Sequence, residues 1–211
     1  MISTRTASEI YADNVIHWIG VTTGFIAVAA MMLAALTMLP AASSLSLAIY
    51  GAAMLAMFTC SAAYHMVPAA EWKGLLRRLD HAAIFVKIAG TYTPFTAIKL
   101  GGTGGMTLLA LVWAVALVGA AGKLFLTSTW DRLALPLYLA LGWTGIAVFG
   151  PLSSSIGEVA LGLLAAGGIL YTIGVVFHLW TSLPYQNAIW HGFVLTATGC
   201  HFGAVTTAVF A

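Results

Sequence analysis

Charge is what this sequence has least of. Of its 211 residues only 7% are charged, as 8 Lys and Arg against 6 Asp and Glu. A soluble domain carries roughly 25%. So few charges cannot cover the surface of a soluble globule of this size, which excludes a soluble enzyme and a disordered chain. The net charge of +2 is too small for a phosphate-tracking surface, so nucleic acid is excluded as a partner. Cysteine is nearly absent. Cys60 and Cys200 both lie in apolar stretches, and neither a disulfide framework nor a thiolate metal site is expected. Long linkers, low-complexity tails, soluble inserts and internal repeats are missing too, so a single domain over 1–211 is expected. The N-terminus lacks a basic run and a small-residue cleavage site, and a removable signal peptide is not expected.

What is present is apolar: 61% of the residues are hydrophobic, and the mean hydropathy is +1.00. A spanning helix needs about 20 mostly apolar residues. Seven stretches qualify, at 16–39, 45–67, 79–98, 106–126, 133–149, 156–179 and 189–210. Pro40, Pro68 and Pro151 punctuate the first, second and fifth. The expected fold is all-α, a seven-helix membrane bundle. Lys and Arg in short loops orient such a bundle. With seven spans, Arg5, Lys73, Arg77, Arg78, Lys123 and Arg132 share the N-terminal side, while only Lys99 lies opposite. That puts the N-terminus in the cytoplasm and the C-terminus outside. Trp18, Trp72, Trp130, Trp180 and Trp190 read as an interfacial belt. Pro94 is expected to kink the third span.

Ionisable groups inside a membrane are costly and are functional candidates by default. Their depth is uneven here. His17, His65, Asp80, His81, His178, Asn187 and His191 all fall at the inner ends of their spans. His201 lies ten residues past His191, about 15 Å deeper at the helical rise. A pore or pump needs polar groups across the full depth, so this one-sided pattern disfavours both. A retinal protein is disfavoured because the seventh span has no Lys. Ser61 and His65 are four apart on one helical face, as are Asn187 and His191; Asn14 and His17 are three apart. Lys87 could snorkel, but its place seven residues and about 10 Å beyond Asp80 favours a buried partner. Several imidazoles beside a carboxylate are suitable chemistry for zinc, with the carboxylate as a general base. The competing reading is interhelical hydrogen bonding without a ligand. It is the reading favoured for Asn14 and His17, which would tie the first span to its neighbours.

The ordered pieces carry a resemblance over essentially the whole chain. They are Asn14-x-x-His17, Ser61-Ala62-Ala63-Tyr64-His65, Leu79-Asp80-His81-Ala82-Ala83-Ile84-Phe85, Gly90-Thr91-Tyr92-Thr93-Pro94-Phe95, and Ile189-Trp190-His191-Gly192-Phe193-Val194-Leu195 followed by His201-Phe202. In these the chain resembles the bacterial hemolysin III-like branch of the progestin and adipoQ receptor family. The resemblance implies a heptahelical protein of a bacterial inner membrane with a role in membrane homeostasis. It implies zinc near the inner leaflet, held by one His of span two and two of span seven. His65 and His191 match two of these ligands. Ser61 matches the motif serine, and Asp80 is placed against the metal-bound water. Kinship with alkaline ceramidases implies hydrolysis of a lipid amide or ester as a candidate activity, with a membrane lipid as substrate or ligand. The alternative is a non-catalytic sensor or homeostasis protein in which the polar cluster is a structural lock. One departure stands out: Asn187 occupies the place of the second span-seven His. An amide oxygen is a poor zinc ligand beside imidazole. The third position then falls to water with Asp80, or to His178, or the site is weak or empty.

Overall fold

The computed structural model describes residues 5–210. Among these residues the chain forms helices and no strand. The eight α-helices are α1 (Ala7–Met38), α2 (Ala41–Met66), α3 (Lys73–Pro94), α4 (Gly102–Phe125), α5 (Thr127–Trp143), α6 (Phe149–Ser155), α7 (Glu158–Leu179) and α8 (Gln186–Phe210). A short 3₁₀ turn, Ala70–Trp72, leads into α3; a π-helical turn, Phe95–Leu100, follows it; and a 3₁₀ segment, Thr144–Val148, joins α5 to α6.

Six segments are long and apolar enough to cross a membrane: α1, α2, α4, α7, α8, and the stretch Trp130–Ser155 that runs through α5 and α6. The chain is a multi-pass membrane protein. Its large exposed side chains agree, since Leu33, Leu36, Leu117, Val118, Ile169 and Val176 all face outward. Helix α3 occupies the third sequence stretch but misses the apolar threshold. It carries Lys73, Arg77, Arg78, Asp80 and Lys87, and it compensates by being enclosed. Its Phe85 and Ala89 are fully buried against α4 and its other neighbours.

Small residues let α3 approach both neighbours, as expected of helices in lipid. A Cβ at Gly90 would stand 2.5 Å from the Ala53 Cβ of α2, and one at Gly119 of α4 would stand 2.5 Å from the Phe85 ring. Gly119→Leu is therefore expected to cost about 1–3 kcal/mol by overpacking, read as a lower unfolding temperature in detergent, whereas substitution of Gly104, which meets nothing within 4 Å, is expected to be neutral.

Two boundaries differ from the apolar reading. Helix α1 begins nine residues before position 16. Thr6 caps it, accepting from the Glu9 N–H while Glu9 accepts from the Thr6 N–H, a reciprocal capping box. The fifth stretch runs on past Pro151, because Pro151 falls in the first turn of α6, where a missing N–H breaks no helical bond. The Pro94 kink takes the form of the π turn, which ends on Gly101 and Gly102, both at φ +57.

Each long helix packs on its chain neighbour, and α8 closes back on α1. The thin seam is between α5 and α7, which barely touch. There the Trp143 indole N–H donates to Thr172 Oγ1 at 3.1 Å. Behind this seam the helices enclose a cavity of about 780 Å³ with mostly apolar walls.

Candidate metal centre

Helices α1 and α8 start, and α2 ends, at the same edge of the bundle. Asp13 and His17 lie one helical turn apart on α1, His65 is one residue from the end of α2, and His191 is in the second turn of α8. These three elements bring four side chains together. Potential ligand atoms of Asp13, His17, His65 and His191 all lie within 4.8 Å of one another. The three imidazole rings form a triangle, with centroids 4.4 Å (His17–His191), 4.5 Å (His65–His191) and 4.9 Å (His17–His65) apart.

Asp13 is the hub, with a relative exposure of 1%. Its Oδ1 accepts from His191 Nδ1 at 2.6 Å. Its Oδ2 accepts from the Arg5 guanidinium at 3.3 Å. Its backbone carbonyl accepts from His17 Nδ1 at 2.8 Å. With Nδ1 of His17 and of His191 committed as donors, each ring presents Nε2 as its lone-pair nitrogen. Outer-shell oxygens fix metal-ligating histidines in this way. His17 Nε2 meets the Ser61 hydroxyl at 3.3 Å, Ser61 donating. His65 is different. Its Nδ1 lies 3.1 Å from Asp13 Oδ2 but in no hydrogen-bonding geometry, so it is a buried nitrogen without a partner. An orphaned imidazole nitrogen, two imidazoles of fixed tautomer and a carboxylate together fit a metal ion. The cluster could hold one.

His65 and His191 meet in the cluster. Ser61 touches it through His17. Asp80 stands outside the four, buried on α3 and on the wall of the same cavity, with Ser61 and His65 as polar neighbours. Asn187 and His178 also face the cavity but are not of the cluster; the His178 ring packs on Trp190, with centroids 4.9 Å apart. His17, from the other end of the chain, supplies the third imidazole of the cluster. Sequence reasoning gave His17 a tying role and did not single out Asp13. The four-residue spacing of Asp13 and His17 was the available signal, once α1 is known to begin upstream of both.

A family model described as haemolysin-III related matches residues 11–202. The chain belongs to that family. The matched region contains all four cluster residues. The chain is 38% identical over 200 residues to a hemolysin-3 homolog of Bacillus subtilis, covering 95% of this chain and 94% of the relative. It is 35% identical over 202 residues to hemolysin-3 of Bacillus cereus, covering 96% and 92%. A human monocyte to macrophage differentiation factor is 30% identical over 166 residues, covering 74% and 67%. Similar chains thus occur in bacteria and in mammals.

Proposed function

We propose that this member of the haemolysin-III related family is a zinc-dependent hydrolase of a lipid amide or ester in a bacterial inner membrane, contributing to membrane homeostasis. The observation that carries the reading is the orphaned His65 nitrogen beside two tautomer-fixed imidazoles, set on a large apolar cavity. Helix α3 is read as a further crossing, giving seven, with the N-terminus in the cytoplasm and the C-terminus outside. In support, Arg77 and Lys123 both pair with Asp131, which gathers the basic ends of α3, α4 and α5 at one edge, the side favoured for the cytoplasm.

His17, His65 and His191 would hold the ion, with Asp13 orienting His191 and His17 behind them. When bound, zinc would supply Lewis acidity and make a water more acidic. The Asp80 carboxylate accepts a proton as general base, and its burial keeps it away from competing bulk water. With His17 Nε2 turned to the ion, the Ser61 hydroxyl would be released from that bond and would orient the substrate carbonyl. The apolar walls receive the acyl chain, and the thin seam between α5 and α7 gives it a lateral way in from the bilayer.

The test is release of free fatty acid from a panel of ceramides and acyl lipids by the purified full-length chain. Asp80→Asn is expected to lower turnover about 10²–10⁴-fold, the usual worth of a general acid–base group, while leaving bound metal unchanged. The second reading, a structural lock, is favoured by the hydrogen bonds that already tie Asp13 to His17 and His191. It predicts no turnover on any lipid of the panel, and that outcome would sink the hydrolase.

A further inference from the structure

Lys87 is a membrane-embedded cation with nothing negative beside it. It lies on α3, two turns past Asp80 and away from the His/Asp cluster, and is 3% exposed. Among the described residues no carboxylate forms an ion pair with it. Its ammonium donates to His201 Nδ1 at 3.4 Å and rests over the Tyr171 ring, 4.8 Å from the centroid. Tyr171 is itself held, its hydroxyl 2.5 Å from Thr198 Oγ1. The His201 ring is seated against Gly167, where any Cβ would collide with it. Three elements, α3, α7 and α8, therefore fix the Lys87 head in place.

An ammonium has three donors and no acceptor. Here one goes to His201 and one face to Tyr171, and neither neighbour neutralises the charge. Buried charges are paired, and Lys87, Tyr171 and His201 all border the cavity. Nearby walls are apolar, including Leu139, Leu161 and Leu164. A single cation with one imidazole suits a monoanion better than a phosphate dianion. The cavity, about 780 Å³, falls in the roughly 300–1,000 Å³ range of small-molecule sites.

We propose that Lys87, with His201 and Tyr171, forms a second binding site in this cavity, for the carboxylate of a long-chain fatty acid whose tail lies along the apolar walls. The site is independent of any metal at the His/Asp cluster and of hydrolysis there.

The experiment is equilibrium binding of palmitate to the full-length chain in nonionic detergent, after metal has been removed with a chelator. Palmitate is expected to bind at least about tenfold more tightly than methyl palmitate, the difference a charge-assisted hydrogen bond makes. Lys87→Met should lower palmitate to the level of the ester and leave the ester unchanged, which also reports an intact cavity. Lys87→Arg should keep palmitate above the ester. The double variant His65→Ala, His191→Ala should bind palmitate like the wild type. The proposal is overturned if Lys87→Met retains wild-type palmitate affinity. It is overturned equally if the double variant loses that affinity, which would put the carboxylate on the metal cluster, or if hexadecyl phosphate outcompetes palmitate, which would make the occupant a phosphate-headed lipid.

Discussion

His65→Ala or His191→Ala, made in the full-length chain, is expected to abolish stoichiometric zinc in the purified protein. Each substitution removes one of three converging imidazoles. Loss of an outer-shell partner alone costs roughly 10–100-fold in metal affinity, and loss of a direct ligand costs more. His17→Ala is expected to do the same, because His17 completes the triangle of rings with centroids 4.4 and 4.9 Å from its partners. His178→Ala and Asn187→Ala are the controls. Both residues face the cavity but stand outside the cluster, so both variants should keep the wild-type metal content. Elemental analysis reads all five variants. A wild-type chain without zinc, or a His178→Ala variant that loses it, would overturn the assignment.

Asp13→Ala should act on two measurements at once. The carboxylate accepts from His191 Nδ1 at 2.6 Å and from Arg5 at 3.3 Å. Without it the half-buried His191 donor loses its partner, and leaving such a group unsatisfied costs up to about 1–3 kcal/mol. Arg5, whose side chain is 44% exposed, can turn to water and adds little. The same substitution frees the His191 tautomer, so zinc affinity should fall about 10–100-fold. Asp13→Asn keeps an acceptor for His191 and should recover most of the stability. Metal-free thermal unfolding and competitive zinc titration separate the two effects. Unchanged stability and unchanged affinity in Asp13→Ala would remove Asp13 from the site.

The residues legible in sequence were those that interrupt apolar runs. His65, Asp80 and His191 each break a hydrophobic stretch near one of its ends, so their depth could be read directly. The all-helical architecture followed from the same runs. Asp13 was not legible in that way, because the first apolar run begins at position 16 and leaves residue 13 ahead of it. The helix is started by polar residues instead. Thr6-x-x-Glu9 has the spacing of a capping box, and it extends α1 upstream so that Asp13 and His17 share a face. His17 was visible but mute: a single imidazole on a helix does not say which helix it will face. Only the closure of α8 onto α1 decides that. The pairing of Lys87 with His201 was hidden for the same reason. Sequence favoured a buried partner for the lysine, but the two residues are 114 positions apart.

Asp13 and His191 are separated by 178 positions, and their contact depends on α8 meeting α1. Helices enter a membrane in the order they are synthesised, so residues 13, 17 and 65 are in place long before residue 191 exists. Non-local contacts of this kind come last in assembly. The donor triangle therefore closes only once α8 has joined α1 and α2. A chain that stalls or is cut before α8 carries the early imidazoles without their third member, and it cannot gather the full donor set for an ion. Metal loading, where it occurs, reports that α1, α2 and α8 have all been inserted.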